Sequence, residues 1–323
     1  MVAAVSGEPA ASFFSLTPER VLDAVEVGGL RSTGRCLPLR AFENRVYEVE
    51  LDDERRVVVK FYRPDRWSRE TILDEHAFLA DLAAAEVPAV APMDIGTGGT
   101  LSEIEGIYYA VFPRVRGRTL DELDVENRRR IGRTIGRLHG VGASRDAPSR
   151  PRLDVKRYVH EPLEVLLGGR FIPDGLAPRY RDVAVRIAEH IAKPLAAARV
   201  QRIHGDLHWG NILWTPEPLL VDFDDCMVGP PVQDLWLLAR GPSDEARQMR
   251  EDLLEGYGLF REFDRGTLAL CEPLRALRIV YMSGWIARRW DDPSFPSAFP
   301  LFRNHNYWTQ EYEELLQIAE GLA

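Results

Sequence analysis

The stretch from His204 to Asp225, HGDLHWGNILWTPEPLLVDFDD, constrains this chain more than any other. Asp206 lies in a polar loop, and Asn211 follows five residues later. Two apolar runs, 212–214 and 219–221, flank a turn built on Pro216 and Pro218. Short apolar runs around a proline turn predict a β-hairpin. A hairpin returns the chain, so Asn211 at its start and Asp222 at its end are expected close together. An amide oxygen and a carboxylate that converge make a hard-oxygen pair suited to Mg2+. Asp206, upstream, is then free to orient a hydroxyl. A loop carrying Asp and Asn, followed by a strand that delivers a second Asp, is the order phosphoryl transfer uses. The bland reading of the same residues is an Asx-rich loop that caps a hairpin.

Composition narrows the setting. The chain has 323 residues, 45% hydrophobic and 28% charged, enough for one large or two ordinary domains with a real core. Its formal charge of -9 argues against broad binding to nucleic-acid phosphates. No apolar run approaches the roughly 20 residues that span a bilayer. The first residues, MVAAVSGEPAASFFSL, have no basic segment and carry Glu8, unlike a secretory signal. Three cysteines, Cys36, Cys226 and Cys271, are widely spaced and predict neither a disulfide framework nor a zinc site. These features predict a soluble protein of a reducing compartment.

Residues 1–15 are small and polar and are expected to be loosely ordered. Thr17-Pro18-Glu19 opens a helix that ends at Gly28-Gly29. Leu37 to Leu51 predicts a hairpin with its bend at 41–45, and no glycine-rich fingerprint accompanies it. Arg56 to Tyr62, RVVVKFY, predicts a buried strand. Lys60 at its end is a charge that either needs a partner or snorkels to water. The helix predicted over Ser68 to Ala85 carries Asp74 and Glu75, each able to answer Lys60 or to stay solvated. A strand is expected over Gly106 to Val115. Beyond Gly117 the pattern is mainly helical: a helix from Asp121 to His139, a loop-rich stretch over 148–178, and an amphipathic helix from Arg181 to Ala198. His139 is read as structural or capping. Met227 to Gln233 reads as a turn leading to Asp234, which N-caps a helix. Arg275, Arg278, Arg288 and Arg289, in the helical remainder, either are solvated or shape a substrate face.

The pattern H-G-D-x-H-x-x-N, an apolar strand and D-x-D resembles the aminoglycoside-phosphotransferase-like kinases, a branch of the protein-kinase fold. ENRVYEV, VVVKFYRPDRW, EHAFLADLAAAEVPAVAP, YYAVFPRVRGR, PPVQDLWLL and EPLRALRIVYMSGWIARRWDDPSFP narrow this. Together they are similar to the stress response kinase A group from about Leu16 to Trp308. The resemblance implies an α+β, two-lobe fold: a small N-lobe, 1–115, with an antiparallel sheet, and a mainly helical C-lobe, 116–323, with ATP and Mg2+ between them. It implies Asp206 as catalytic base and Asn211 and Asp222 as Mg2+ ligands, with Asp222 counted in the catalytic set. Lys60 grips the α- and β-phosphates. Glu75 is the best match to the helix carboxylate that pairs with that Lys, with Asp74 the alternative. Ala41 and Asn44 belong to the nucleotide-covering loop, and Ala41 stands where family members can carry Ser. Backbone from Phe112 to Val115 meets adenine. His204 and His208 shape the catalytic loop, and Asp234 in G-P-x-x-x-D-L holds it. Asp224 and Asp225 either support the metal ligand or add a second metal contact. The function implied is a cytoplasmic, monomeric serine/threonine protein kinase with autophosphorylation and a role in stress survival, its partner a protein substrate rather than nucleic acid or membrane. A small-molecule kinase acting on an amino alcohol, sugar or aminoglycoside is the alternative. A non-catalytic nucleotide sensor is the third reading, opposed by the presence of Lys60, Asp206, Asn211 and Asp222 together.

Overall fold

The structure is a computed structural model that describes residues 16–96, 98–119 and 124–322. The chain begins with α1 (Pro18–Val27), β1 (Ser32–Leu39), β2 (Arg45–Leu51), β3 (Arg56–Phe61), α2 (Arg69–Ala84), β4 (Ser102–Ile104) and β5 (Ile107–Pro113). It continues with α3 (Val125–Gly142), α4 (Glu161–Gly168), α5 (Ala177–Ala197), β6 (Gln201–Ile203), β7 (Ile212–Trp214), β8 (Pro218–Leu220) and β9 (Met227–Gly229). Last come α6 (Val232–Trp236), α7 (Asp244–Tyr257), α8 (Cys271–Arg288), α9 (Ser294–Ala298) and α10 (His305–Gly321). Among the described residues, no helix is long and apolar enough to cross a membrane.

The chain divides into two compact units. The first comprises residues 16–118 and 213–224. Its sheet has the order β1-β2-β3-β5-β4, with every neighbouring pair antiparallel. The valine run of β3 explains its central place, because Val57 and Val59 are buried against Val49, Ile107 and Val111. The Thr17 hydroxyl caps α1 by accepting from the Arg20 amide, and Val21 and Val25 of α1 join the same core. The Ser68 hydroxyl caps α2, accepting from the Thr71 amide at 3.2 Å. The hairpin β7–β8 belongs here, although its sequence position suggested the C-lobe. Leu220 donates its amide to the Pro88 carbonyl at 2.9 Å, and Trp214 donates to the Arg118 carbonyl at 2.7 Å. These bonds run between distant segments, and local pattern carries no trace of them.

The second unit comprises the described residues of 119–212 and 225–322. Its helices α3 and α7 touch backbone to backbone. A Cβ on Gly132 would sit 1.9 Å from the Leu253 carbonyl oxygen, and one on Gly256 would sit 1.9 Å from that of Arg129. Only glycine fits such an approach. The Asp124 carboxylate caps α3 by accepting from the Asn127 amide at 2.7 Å. The helix start expected at Asp121 lies outside the described residues. Met227–Gly229, expected as a turn, is the strand β9, because it pairs with β6 in the register Gln201 to Gly229 through Ile203 to Met227. Pairing with a distant strand here overrides local preference. Helix α5 begins at Ala177, four residues before the expected Arg181, with Pro178 in its first turn.

Candidate active site

In the first unit the site grows from β3. Register places Lys60 opposite Val46 and Ala110, at 7% exposure. An ammonium so enclosed must be paired. Its Nζ lies 3.0 Å from Asp224 Oδ1, 3.4 Å from Asp222 Oδ1 and 3.6 Å from Glu75 Oε1. Burial alone would push its pKa down, but Asp224, Glu75 and Asp222 together raise it well above the usual lysine value. Glu75, rather than Asp74, is therefore the α2 carboxylate that meets Lys60. Behind Glu75 runs a buried chain: the Tyr62 hydroxyl lies 3.4 Å from Glu75 Oε1 and 2.9 Å from His76 Nε2, and His76 Nδ1 lies 2.7 Å from the Thr100 hydroxyl.

Asp222 and Asp224 differ sharply. Asp222 has φ 63°, a left-handed conformation that a non-glycine residue holds only when its surroundings impose it. Its side chain is 58% exposed. Asp224 is 3% exposed and takes Lys60, an ion pair with Arg66, and the Asn44 amide, whose Nδ2 donates at 3.0 Å. Burial would raise the Asp224 pKa, but the Lys60 and Arg66 cations hold it well below the usual carboxylate range.

The loop between β1 and β2 needs no glycine because side chains pin it. Arg63 Nε donates to the Glu43 carbonyl at 2.9 Å and Nη2 to the Phe42 carbonyl at 3.2 Å. Asn44 Oδ1 accepts from the Arg63 amide at 3.1 Å, so both polar ends of Asn44 are engaged by protein. Ala41 lies half-buried in this loop. Phe112, on β5, has its ring 6.0 Å from the Lys60 ammonium, and Val115 follows the end of β5. None of Ala41, Phe112 and Val115 offers a polar side chain to the Lys60 cluster.

In the second unit the catalytic loop leaves β6 and is held from below by α6. The Asp234 carboxylate accepts the backbone amides of His204 and Gly205, each at 2.8 Å, and contacts His139 Nε2 at 3.0 Å. Asp234 lies inside α6, where Pro231 is the capping residue, so it holds the loop and does not cap the helix. Gly205 has φ 83°, and a Cβ there would meet the Asp225 carbonyl oxygen at 2.5 Å. His139 is fully buried, with its other ring nitrogen 3.2 Å from the Tyr257 hydroxyl, and is structural.

The loop presents Asp206, 25% exposed, with Oδ1 2.6 Å from Arg278 Nη2 and Oδ2 3.8 Å from His208 Nε2. His208 Nδ1 accepts from the Gly210 amide at 3.0 Å, which leaves Nε2 facing Asp206. Asn211 Nδ2 donates to the Asp206 carbonyl at 3.0 Å. That bond fixes the amide and turns its oxygen, the atom a hard cation takes, the other way.

The structure thus gathers Asn44, Lys60, Glu75 and Asp222 in the first unit and Asp206 with Asn211 in the second. Sequence reasoning missed Arg63 and Arg66, although FYRPDRW contained both. It also missed the Tyr62–His76 chain and the pairing of Arg278 with Asp206, and it left the part of Asp224 open.

Residues 35–271 match the phosphotransferase enzyme family. Stress response kinase A of Escherichia coli (strain K12) is 39% identical over 315 residues, covering 96% of this chain and 95% of that protein. Serine/threonine protein kinase RdoA of Salmonella typhimurium (strain LT2) is 39% identical over 312 residues, again covering 96% and 95%. Among solved structures, amicoumacin kinase hAmiN in complex with AMP-PNP, Ca2+ and Ami matches with a TM-score of 0.71 at 20% identity, over 88% of this chain and 91% of that one. The α+β architecture, an antiparallel sheet unit and a helical unit, is the one expected.

Proposed function

Because this chain belongs to the phosphotransferase enzyme family and, within it, to the stress response kinase A group, we propose that it is an ATP- and Mg2+-dependent serine/threonine protein kinase acting in a stress response. The relatives' names support the kinase activity, and one of them supports a serine/threonine acceptor. The AMP-PNP and Ca2+ held by amicoumacin kinase support a nucleotide and a divalent cation. A cytoplasmic, monomeric enzyme that also phosphorylates itself completes the reading.

The observation that carries it is the Lys60 cluster. A buried ammonium held charged by Asp224, Glu75 and Asp222 is what a phosphate-gripping lysine requires. Lys60 orients the α- and β-phosphates, with Glu75 fixing its position. The residues that would hold Mg2+ are Asp222, whose carboxylate is exposed in the first unit, and Asn211, whose amide is fixed in the second; both offer the hard oxygen that ion takes. Held by them, the ion would supply positive charge to the phosphate oxygens. Asp206 orients the acceptor hydroxyl and receives its proton. The pinned loop that carries Ala41 and Asn44 covers the phosphates, and backbone from Phe112 to Val115 meets adenine.

Incubation with radiolabelled ATP and Mg2+, with and without a generic protein acceptor, tests this. Label on protein is expected, and Asp206→Ala lowers it by on the order of a hundredfold to ten-thousandfold while nucleotide binding persists. Asp222→Ala loses Mg2+-dependent nucleotide binding, read as a thermal shift. Wild-type turnover in Asp206→Ala would sink the assignment. ATP binding with no label on protein would move the acceptor to a small molecule.

A further inference from the structure

Within the second unit, the surroundings of Asp206 are cationic. Arg278 reaches from α8, its side chain 17% exposed, and sets Nη2 2.6 Å from Asp206 Oδ1. Arg240 follows α6, donates Nε to the Leu237 carbonyl at 3.1 Å, and lies close enough to Arg278 and Asp206 for both to act on its charge. It lines an open cavity of about 370 Å3 with His208, Trp209, Gly210, Leu237 and Leu238. Two guanidiniums, Arg278 and Arg240, thus gather around the Asp206 carboxylate. This local excess of positive charge occurs in a chain whose formal charge is -9.

The Arg278 ion pair also occupies Asp206 Oδ1, an oxygen enclosed from solvent. A guanidinium prefers a second carboxylate in bidentate geometry, and an anion arriving with the acceptor competes for it. We propose, resting on the kinase reading above, that Arg278 and Arg240 form an anion-recognising acceptor site, so that the serine or threonine phosphorylated lies in an acidic peptide segment. The flanking carboxylate takes Arg278 from Asp206 Oδ1, and Arg240 receives a second acidic residue from the cavity side. The transfer then balances as usual: the acceptor oxygen bonds to the γ-phosphorus, the β–γ bridging bond breaks, the hydroxyl proton passes to Asp206 and ADP leaves. A cationic acceptor, such as an amino alcohol or aminoglycoside, meets like charge there and is disfavoured.

The test uses the full chain with ATP, Mg2+ and serine peptides that differ only at the two residues on either side of the serine, which are Glu, Gln or Lys. The Glu peptide is expected to exceed the Gln peptide by about tenfold in kcat/KM, with the Lys peptide lower still. Part of the gain lies in kcat, because the anion releases Asp206 as well as binding. Arg240→Glu shifts preference toward the Lys peptide, and Arg278→Gln narrows the difference in kcat between Glu and Gln peptides. Should Arg278→Gln fail to fold, Arg240→Glu alone decides. Equal labelling of the three peptides, or a wild-type preference for Lys, overturns the inference and leaves the kinase reading standing. No label on any peptide overturns both.

Discussion

Lys60 is kept charged at 7% exposure chiefly by Asp224, a carboxylate buried as deeply as the lysine itself. Asp224 answers Lys60 and Arg66 at once and is as enclosed as the cations it pairs. Replacing it by Asn leaves two buried cations short of one charge. Asp224→Asn is therefore expected to cost about 3–5 kcal/mol in denaturant unfolding. Asp222→Asn, at an exposed carboxylate, is expected to cost less than about 1 kcal/mol, although both variants weaken nucleotide binding. Equal unfolding midpoints for Asp224→Asn and wild type would refute the division of labour. Lys60, Glu75 and Asp222, named from spacing and resemblance, come together in one cluster. Arg66 was not legible, because its guanidinium meets a carboxylate 158 residues along the chain. Asp234 was legible as a residue that matters, but a helix cap and a clamp on two backbone amides look alike in sequence, and only the fold separates them.

At the scale of elements, hydrophobic period and capping residues placed α1, α2 and the central strand well. Pairing between distant segments decided β9 and the hairpin β7–β8, and period does not report it. Helix α10 docks through another long-range device. Glu311 accepts the Ser283 and Tyr307 hydroxyls, each at 2.6 Å, and the Tyr180 hydroxyl at 2.9 Å, tying α10 to α8 and α5. Burial raises its pKa to about 7; the three hydroxyls oppose the rise and Glu314 adds to it. A folded pKa above the ordinary value of 4.5 means that this group's stabilisation is complete below about pH 4.5 and is lost as pH rises through about 7. The loss over that window is about 3 kcal/mol. Thermal unfolding measured at about pH 5 and about pH 8 should show a fall in Tm that Glu311→Gln flattens. An equal fall in the variant would place the titration elsewhere.

At the scale of the whole molecule, the two-unit α+β plan was legible, and the division of the chain between the units was not. The expected boundary after residue 115 is close to the observed one after 118, but residues 213–224 return to the first unit. Leu220 is fully buried there, and the Phe223 ring packs 5.8 Å from that of Phe78. A fragment ending at residue 118 is thus expected to melt broadly. The same fragment joined through a short linker to residues 213–224 is expected to melt cooperatively, as circular dichroism would register; identical melts would show the hairpin to be dispensable. On the ribosome, this arrangement sets an order of events. The sheet emerges early but waits for its closing hairpin until all of residues 119–212 have been synthesised. That hairpin leads directly into Asp222 and Asp224, so until they are made Lys60 has only one of its three carboxylates, Glu75, and its burial waits on the last strand of the unit.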